Sequence, residues 1–503
     1  MLTRSFRQFQ FAALGIVLLT VVTRLPSLLD PSPITDEAIY SVVANEIVDG
    51  GRPYVDAVDR KPPLLFWTYA AVFEAAGKFN WRALHAVALV WILCTMAGLY
   101  MIGKRLFDCE TGLIAALLYG VFQPWAISNN DNLAFNGEVL MNLPIVWAWA
   151  IAFGRGSSRA RPELIAAGAL LCAAFLLKQP AAVAAVPLGI YLLLPSYRAS
   201  RSLTRTASVA HAAMLTGGFF GVLGLIAMAL REQGILREAF YWTLIHHSAS
   251  HDVFWNQGIV RTLQFAGVCW PLILGAGMAY WNDRCVWADK TSERTALLGL
   301  LAASAIGAAA GGRFYHHYYI QLIPPLALLT APHYARLWSR RTQPRNWLLR
   351  PRVTYAWLAL AAAWFSIMHW HWRGLASRYE PCETARYLSE HSAPDDRVFV
   401  WGNKATIYLE ARRRPACRYI HTVALTRHLF GEGFLHIDRI VPGAWETLEQ
   451  DFAKHPPAYI VDLQNGDSPQ QYPVRDFPIL ARLLEERYRL AARTAEGVIY
   501  RKL

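Results

Sequence analysis

The chain reads as an α-helical multi-pass membrane protein of about eleven transmembrane helices followed by a soluble α/β domain. Three observations carry that reading. Hydrophobic residues make up 54% of the 503 positions and charged residues 17%, where a soluble chain is roughly one-quarter charged. The apolar residues gather into runs of the length that crosses a bilayer, about 20 residues. The cations gather in short loops between alternate runs, the pattern of a membrane topology signal.

The runs lie near 9–29, 81–103, 111–128, 133–153, 162–177, 180–195, 208–230, 261–281, 295–311, 314–332 and 353–372, the fifth and sixth being short. A further short run, 63–77, is bracketed by Lys61 and Lys78 and is placed as a helix in the outer interface. Arg4 and Arg7 precede the first run, which is long enough to span and lacks a small-residue cleavage site, so it reads as an uncleaved span. With the N-terminus in the cytoplasm, the inner loops carry Lys104 and Arg105; Arg155, Arg159 and Arg161; Arg198, Arg201 and Arg205; Arg284, Lys290 and Arg294. The last inner loop carries Arg336, Arg340, Arg341, Arg345, Arg350 and Arg352. An odd number of spans puts the C-terminal domain on the outer, periplasmic side of the cell membrane. The domains are therefore 1–372, a transmembrane body with a first outer loop of about residues 30–80, and 373–503, in which 382–391 and 443–454 read as helices and 397–401, 458–463 and 497–501 as strands.

The net charge of +13 is spread over these loops, whereas nucleic-acid binding needs positive charge on one exposed surface; no nucleic-acid partner is expected. Of the seven cysteines, only Cys382 and Cys417 fall in the outer domain, where they either pair in an oxidising compartment or stay separate thiols. No P-loop, dinucleotide fingerprint or serine nucleophile elbow is present.

Polar residues collect on the outer face. The first outer loop, PSPITDEAIYSVVANEIVDGGRPYVDAVDRKPPLLFW, is long enough to be functional. Ile34, Ala38, Val42 and Ile47 give it helical periodicity, with Thr35 as N-cap and Asp36 and Glu37 in the first turn. The helix dipole alone would favour acids there. Glu138 opens the fourth span, with Asn142 on the same face, and an ionisable group inside a span is a functional candidate. Lys178 ends the fifth span, where snorkelling is the plain alternative. Arg313, His317 and Gln321 form a stripe at helical spacing, with His316 beside it. His247 and His251, with His246 and Asp252 nearby, have a helical metal-ligand spacing, but no H-E-x-x-H base accompanies them; a divalent metal is the less favoured alternative and no cofactor is expected.

These residues together resemble the GT-C class of polyprenyl-phosphate-dependent glycosyltransferases, specifically the bacterial protein-mannosyltransferase-like (aminoarabinose-transferase-like) group. The likeness rests on Asp36-Glu37 in the long first outer loop, Lys61-Pro62 after it, the polar start of the fourth span, Lys178, and the segment GRFYHHYYIQLIPPLALL. One departure is Arg60, where the aminoarabinose transferases carry an acidic residue; it speaks against a metal site of their kind and against their lipid A acceptor. The resemblance implies transfer of a sugar from a polyprenyl-phosphate donor to an acceptor hydroxyl on a glycan, lipid or protein at the outer face, with inversion. Asp36, with Glu37 beside it, would act as base, Lys61, Lys178 and Arg313 would hold the donor phosphate, and Arg60, Glu138, His316 and His317 would line the substrate site. The rival reading is a lipid or glycan transporter, which would place ionisable groups at mid-membrane depth and show internal repeats.

Overall fold

The computed structural model describes residues 2–29, 35–125, 133–154, 161–246, 254–281, 284–339, 380–426, 440–464 and 473–503. The eleventh expected span, the histidines at 247 and 251, Asp252, and the arginines from 340 to 352 lie outside the described residues. The chain forms two compact units: Met1–Pro31, Leu84–Ala229 and Ser248–Ser377; and Ser32–Ala83, Leu230–His247 and Arg378–Leu503. Residues of the first outer loop thus belong to the same unit as the C-terminal sheet.

The first unit is helical. Its apolar helices are α1 (Leu2–Leu29), α4 (Trp81–Leu106), α5 (Cys109–Phe122), α6 (Gly137–Ala152), α7 (Glu163–Leu177), α8 (Ala185–Leu193) and α10 (Arg205–Glu232), with α9 (Pro195–Arg201) between the last two. Among the described residues three helices are long and apolar enough to cross a membrane, or five if each of two bent pairs is one span. Hydropathy hides those bends. The run 261–281 is two helices, Trp255–Val268 and Trp270–Trp281, meeting at 75°, with Pro271 opening the second and offering no N–H to continue the first. The run 180–195 starts as a 3-10 turn over Gln179–Ala184, with Pro180 in its first turn.

Close packing explains several small residues. A Cβ on Gly168 would meet the Leu215 carbonyl oxygen, and one on Gly218 would meet that of Ile165, so α7 and α10 touch backbone to backbone. Three of the cations expected in inner loops make buried or half-buried contacts. Arg161, 1% exposed, donates to the carbonyls of Ile151 (2.9 Å) and Ala152 (3.0 Å), and Arg105 and Arg201 donate to Ala150 and Gly154. All four acceptors lie at the C-terminal end of α6, where unsatisfied carbonyls and the helix dipole favour cations. In α1, the buried Arg24 guanidinium donates from Nη1 to the Leu133 carbonyl (2.6 Å) and from Nη2 to Gln123 Oε1 (2.5 Å).

The second unit is built on a five-stranded sheet, ordered β2-β1-β3-β5-β4. Its strands are β1 (Arg397–Trp401), β2 (Arg414–Pro415), β3 (Tyr459–Leu463), β4 (Tyr488–Arg493) and β5 (Gly497–Lys502). β1 pairs in parallel with β2 and β3, in the register Val398 to Tyr459; β3 and β4 pair antiparallel with β5. Every residue of β3 is buried, so its run YIVDL is continuous rather than alternating. The expected helices and three strands are present within a residue or two; β2 and β4 carry no apolar run and were not legible. Cys382 and Cys417 are free thiols, and burial pushes Cys382 up to about 12.

The same unit contains α2 (Thr35–Val48) and α3 (Pro63–Ala76). The expected single apolar face of α2 is not what the structure has. Ala38, Tyr40, Ser41, Val42, Val43, Ala44, Asn45 and Glu46 are all buried, which covers its whole circumference at 100° per residue. The helix is a core element, packed on α3 and on the helix Thr406–Glu410.

Candidate functional site

In the second unit, the first turn of α2 and the start of α3 bring two expected residues together. Pro62 and Pro63 hold the chain before α3 extended, with Pro62 at φ −68° and ψ 160°. Lys61 is anchored there: its carbonyl accepts from the Tyr54 hydroxyl (2.8 Å) and its N–H donates to Asp59 Oδ2 (3.3 Å). The Lys61 ammonium lies 3.9 Å from Asp36 Oδ2 and 5.7 Å from the Tyr40 ring centroid. Tyr40, one turn after Asp36, donates its hydroxyl to Asp36 Oδ2 at 2.9 Å. Edge-to-face contacts of Tyr40 with Phe66 and Tyr69 set the spacing of the two helices.

The neighbouring carboxylates differ in access. The Asp36 side chain is 35% exposed, while Glu37 is 1% exposed. Arg60 is half-buried. A residue the sequence offered no reason to select, His421, joins this cluster. The parallel bridge of Val58 to Tyr419 carries it there. Burial pushes its imidazole pKa down, with Asp59 and Asp36 opposing and Arg60 reinforcing, and its buried Nδ1 has no hydrogen-bond partner among the described residues. A histidine held neutral beside an exposed carboxylate can accept or donate a hydrogen bond without adding charge.

In the first unit, a second group forms. Asn136 caps α6, accepting from the Val139 N–H at 3.4 Å. This puts Glu138, 0% exposed, in the first turn, where it pairs with Lys178. Lys178 ends α7 in an extended conformation, φ −157°, and its ammonium lies 4.6 Å from the Tyr318 ring centroid. Snorkelling does not describe it: the residue is 5% exposed and ion-paired. Gly137 makes room, since a Cβ there would sit 2.6 Å from Lys178 Cδ. Asn142, one turn on, donates to the Ile320 carbonyl at 3.4 Å.

The expected stripe of Arg313, His317 and Gln321 is not on one α-helix. His316–Leu322 is a 3-10 turn and the α-helix starts at Ile323, because Pro324 and Pro325 suit a first helical turn and disfavour helix before them. His317 is buried and stacks on Tyr315. Arg313 and His316 instead face the helix Trp255–Val268 and the residue before it. The Arg313 guanidinium covers the Phe254 ring at 4.8 Å, and His316 Nε2 lies 3.4 Å from Gln264. Arg261, which the sequence reading passed over, donates to the Arg313 carbonyl at 2.8 Å and stacks on Tyr315. Among the described residues no group of three His, Cys, Asp or Glu side chains is arranged to hold a metal.

Residues 60–223 match the family of dolichyl-phosphate-mannose-protein mannosyltransferases. Over 99% of this chain and 98% of the other, the fold is similar to ArnT from Cupriavidus metallidurans, solved bound to undecaprenyl phosphate, at a TM-score of 0.60 and 16% identity. It is also similar to the archaeal oligosaccharyltransferase AglB from Archaeoglobus fulgidus, solved with an inhibitory peptide and a dolichol-phosphate, with a TM-score of 0.51, 13% identity, and coverage of 90% of this chain and 69% of that one. No curated protein matches by sequence. The family match and the shared fold support the resemblance to GT-C glycosyltransferases read from the residues.

Proposed function

We propose, from the premise that a protein-mannosyltransferase pattern over residues 60–223 sits in a GT-C fold, that this chain is a membrane glycosyltransferase. It moves a sugar from a polyprenyl-phosphate donor to an acceptor hydroxyl at the outer face of the cell membrane. Undecaprenyl phosphate and dolichol-phosphate in the two similar structures support a polyprenyl carrier.

The observation that carries the reading is the Asp36, Tyr40 and Lys61 cluster. A general base must reach the proton it removes. Asp36 is open to an acceptor, whereas Glu37 is enclosed. Tyr40 and Lys61 both favour the ionised carboxylate by hydrogen bond and charge. Asp36 takes the acceptor hydroxyl proton, the acceptor oxygen bonds to the anomeric carbon, and the bond from that carbon to the phosphate oxygen breaks. The electron pair leaves on the lipid phosphate. Displacement in one step inverts the anomeric centre. The growing charge on the phosphate needs cations; Lys61 lies in the same unit as Asp36, and Lys178, Arg313 and Arg261 are cations of the first unit. Glu138 orients Lys178. His316, His317 and Arg60 contribute hydrogen bonds to the sugar, phosphate or acceptor.

Single-turnover transfer from a purified polyprenyl-phosphate sugar, with donor binding measured separately, tests this. Asp36→Asn should lower the rate by about 10²–10⁴-fold and leave donor binding intact. Wild-type turnover by Asp36→Asn would refute the role, and loss in Glu37→Gln alone would move the base one residue.

A further inference from the structure

A cavity of about 220 Å³ lies wholly within the second unit, between the C-terminal end of α2, the Gly50-Gly51 turn, the first residues of β1 and β2, and the helix ending at Lys454. It opens about ten residues along α2 from Asp36, roughly 15 Å at helical rise, and nothing in the transfer chemistry uses it. At its base is Glu46, whose side chain is 3% exposed. Arg414 grips it as a fork, Nε to Oε1 at 2.8 Å and Nη2 to Oε2 at 2.5 Å. Arg397 Nη1 stands 3.7 Å from the same carboxylate. One buried carboxylate thus holds two guanidiniums side by side, with donors to spare on each.

We propose that this cavity binds a sugar bearing a carboxylate or a phosphate, as part of the acceptor; the proposal rests on the glycosyltransferase reading and names the charge of its acceptor. The cations and carboxylates of the lining are equal in number, but they are not equally available. Asp49 is paired by Lys78 (2.6 Å) and Asp56 by Arg52 (3.5 Å), both cations from outside the lining. Arg418 is occupied by Asp451 (2.7 Å). Arg414 Nε also lies 3.6 Å from Asp49, so Arg397, Arg414 and Lys454 share Glu46 and part of Asp49, and with Lys78 and Arg52 counted the cavity still has more cations than carboxylates around it. The neighbouring His455 registers this: its imidazole pKa is pushed down by burial and then by Arg397, Lys454 and Arg414, with Glu46 opposing. The Arg397 guanidinium is pushed down by burial and by Arg414, against the pull of Glu46, Asp49 and Asp56. An anion placed here relieves that repulsion. The carboxylates at the edge disfavour a bare ion and suit hydroxyl groups, and the volume suits one sugar ring rather than a polymer. Planar guanidiniums match carboxylate and phosphate oxygens in pairs.

The test uses the full-length chain in detergent and titration calorimetry with four probes: a glucuronate-containing disaccharide, glucose 6-phosphate, a neutral disaccharide, and inorganic phosphate. The expected result is that at least one acidic sugar binds about tenfold or more tighter than the neutral one, a difference of about 1.4 kcal/mol. The identity of that probe tells carboxylate from phosphate. Lys454→Glu, at an exposed position, should weaken binding at least tenfold with no change in unfolding midpoint, and Arg397→Gln should do likewise. Equal binding of acidic and neutral sugars, binding of inorganic phosphate as tight as the sugar phosphate, or no effect of Lys454→Glu would each overturn the proposal. Absent sugar binding in a chain that still transfers sugar overturns the pocket alone. Acidic-sugar binding in a chain that transfers nothing overturns the transferase reading alone.

Discussion

Replacing Glu138 by Leu should unfold the first unit at a lower temperature, and replacing Lys178 as well should largely repair it. Glu138 is 0% exposed and Lys178 is 5% exposed, and the two are paired. Removing one partner leaves a lone charge among apolar helices, at a cost of about 3–5 kcal/mol. Lys178→Met should cost a similar amount, and in the reverse case, in which Lys178 stays and Glu138 goes, the Tyr318 ring 4.6 Å from the ammonium softens the loss. The double variant, Glu138→Leu with Lys178→Met, buries no charge and should lie within about 1.5 kcal/mol of the parent, since apolar substitutes of similar volume are tolerated. The assay is a double-mutant cycle on unfolding midpoints in one detergent, with transfer measured in parallel. Stability should return in the double variant while transfer stays lost, because the ammonium proposed to bind the phosphate is gone. Additive losses in the double variant would refute the pairing. Recovered transfer would refute the role of Lys178.

Gly168→Ala should destabilise the chain by about 1–3 kcal/mol, read as a lowered unfolding midpoint, because its Cβ would run into the Leu215 carbonyl across α7 and α10; an unchanged midpoint would mean the helices can part freely. Reporter insertions after Asp108 should report the cytoplasm, and those at Asp56 or after Leu503 the outer side, following the alternation of cations; a cytoplasmic signal at Leu503 would overturn the orientation. Transfer should survive dialysis against a chelator, on the proposal that lysine and arginine side chains supply the phosphate's countercharge; activity that vanishes and returns with a divalent cation would bring a metal back into the mechanism.

Local order was legible in the sequence because it leaves a local trace. Apolar runs located α4 to α8 and α10 to within about six residues, short runs of apolar and β-branched residues located β1, β3 and β5, and Pro62-Pro63 marked the start of α3. Acids in the first turn of α2 and a cation before Pro62 were enough to select Asp36 and Lys61, which the fold then brings to 3.9 Å. Hydropathy averaging, in contrast, cannot see a break inside an apolar run, so the bend between Val268 and Trp270 and the 3-10 turn at His316–Leu322 came only from the structure. Nor does a charged residue announce its surroundings. Glu46 reads as one more polar position on an amphipathic helix, yet it is buried and held by Arg414, 368 positions away. Arg161 reads as a topology signal and also closes the end of α6. His421 carries no motif, and a single bridge between Val58 and Tyr419 sets it beside Asp59. Periodicity and turn chemistry act between residues a few positions apart, and so the sequence alone determined the helices, most of the strands and the Asp36 loop. Pairing of buried charges depends on which distant segments share a low-dielectric space, and only the tertiary structure decided that.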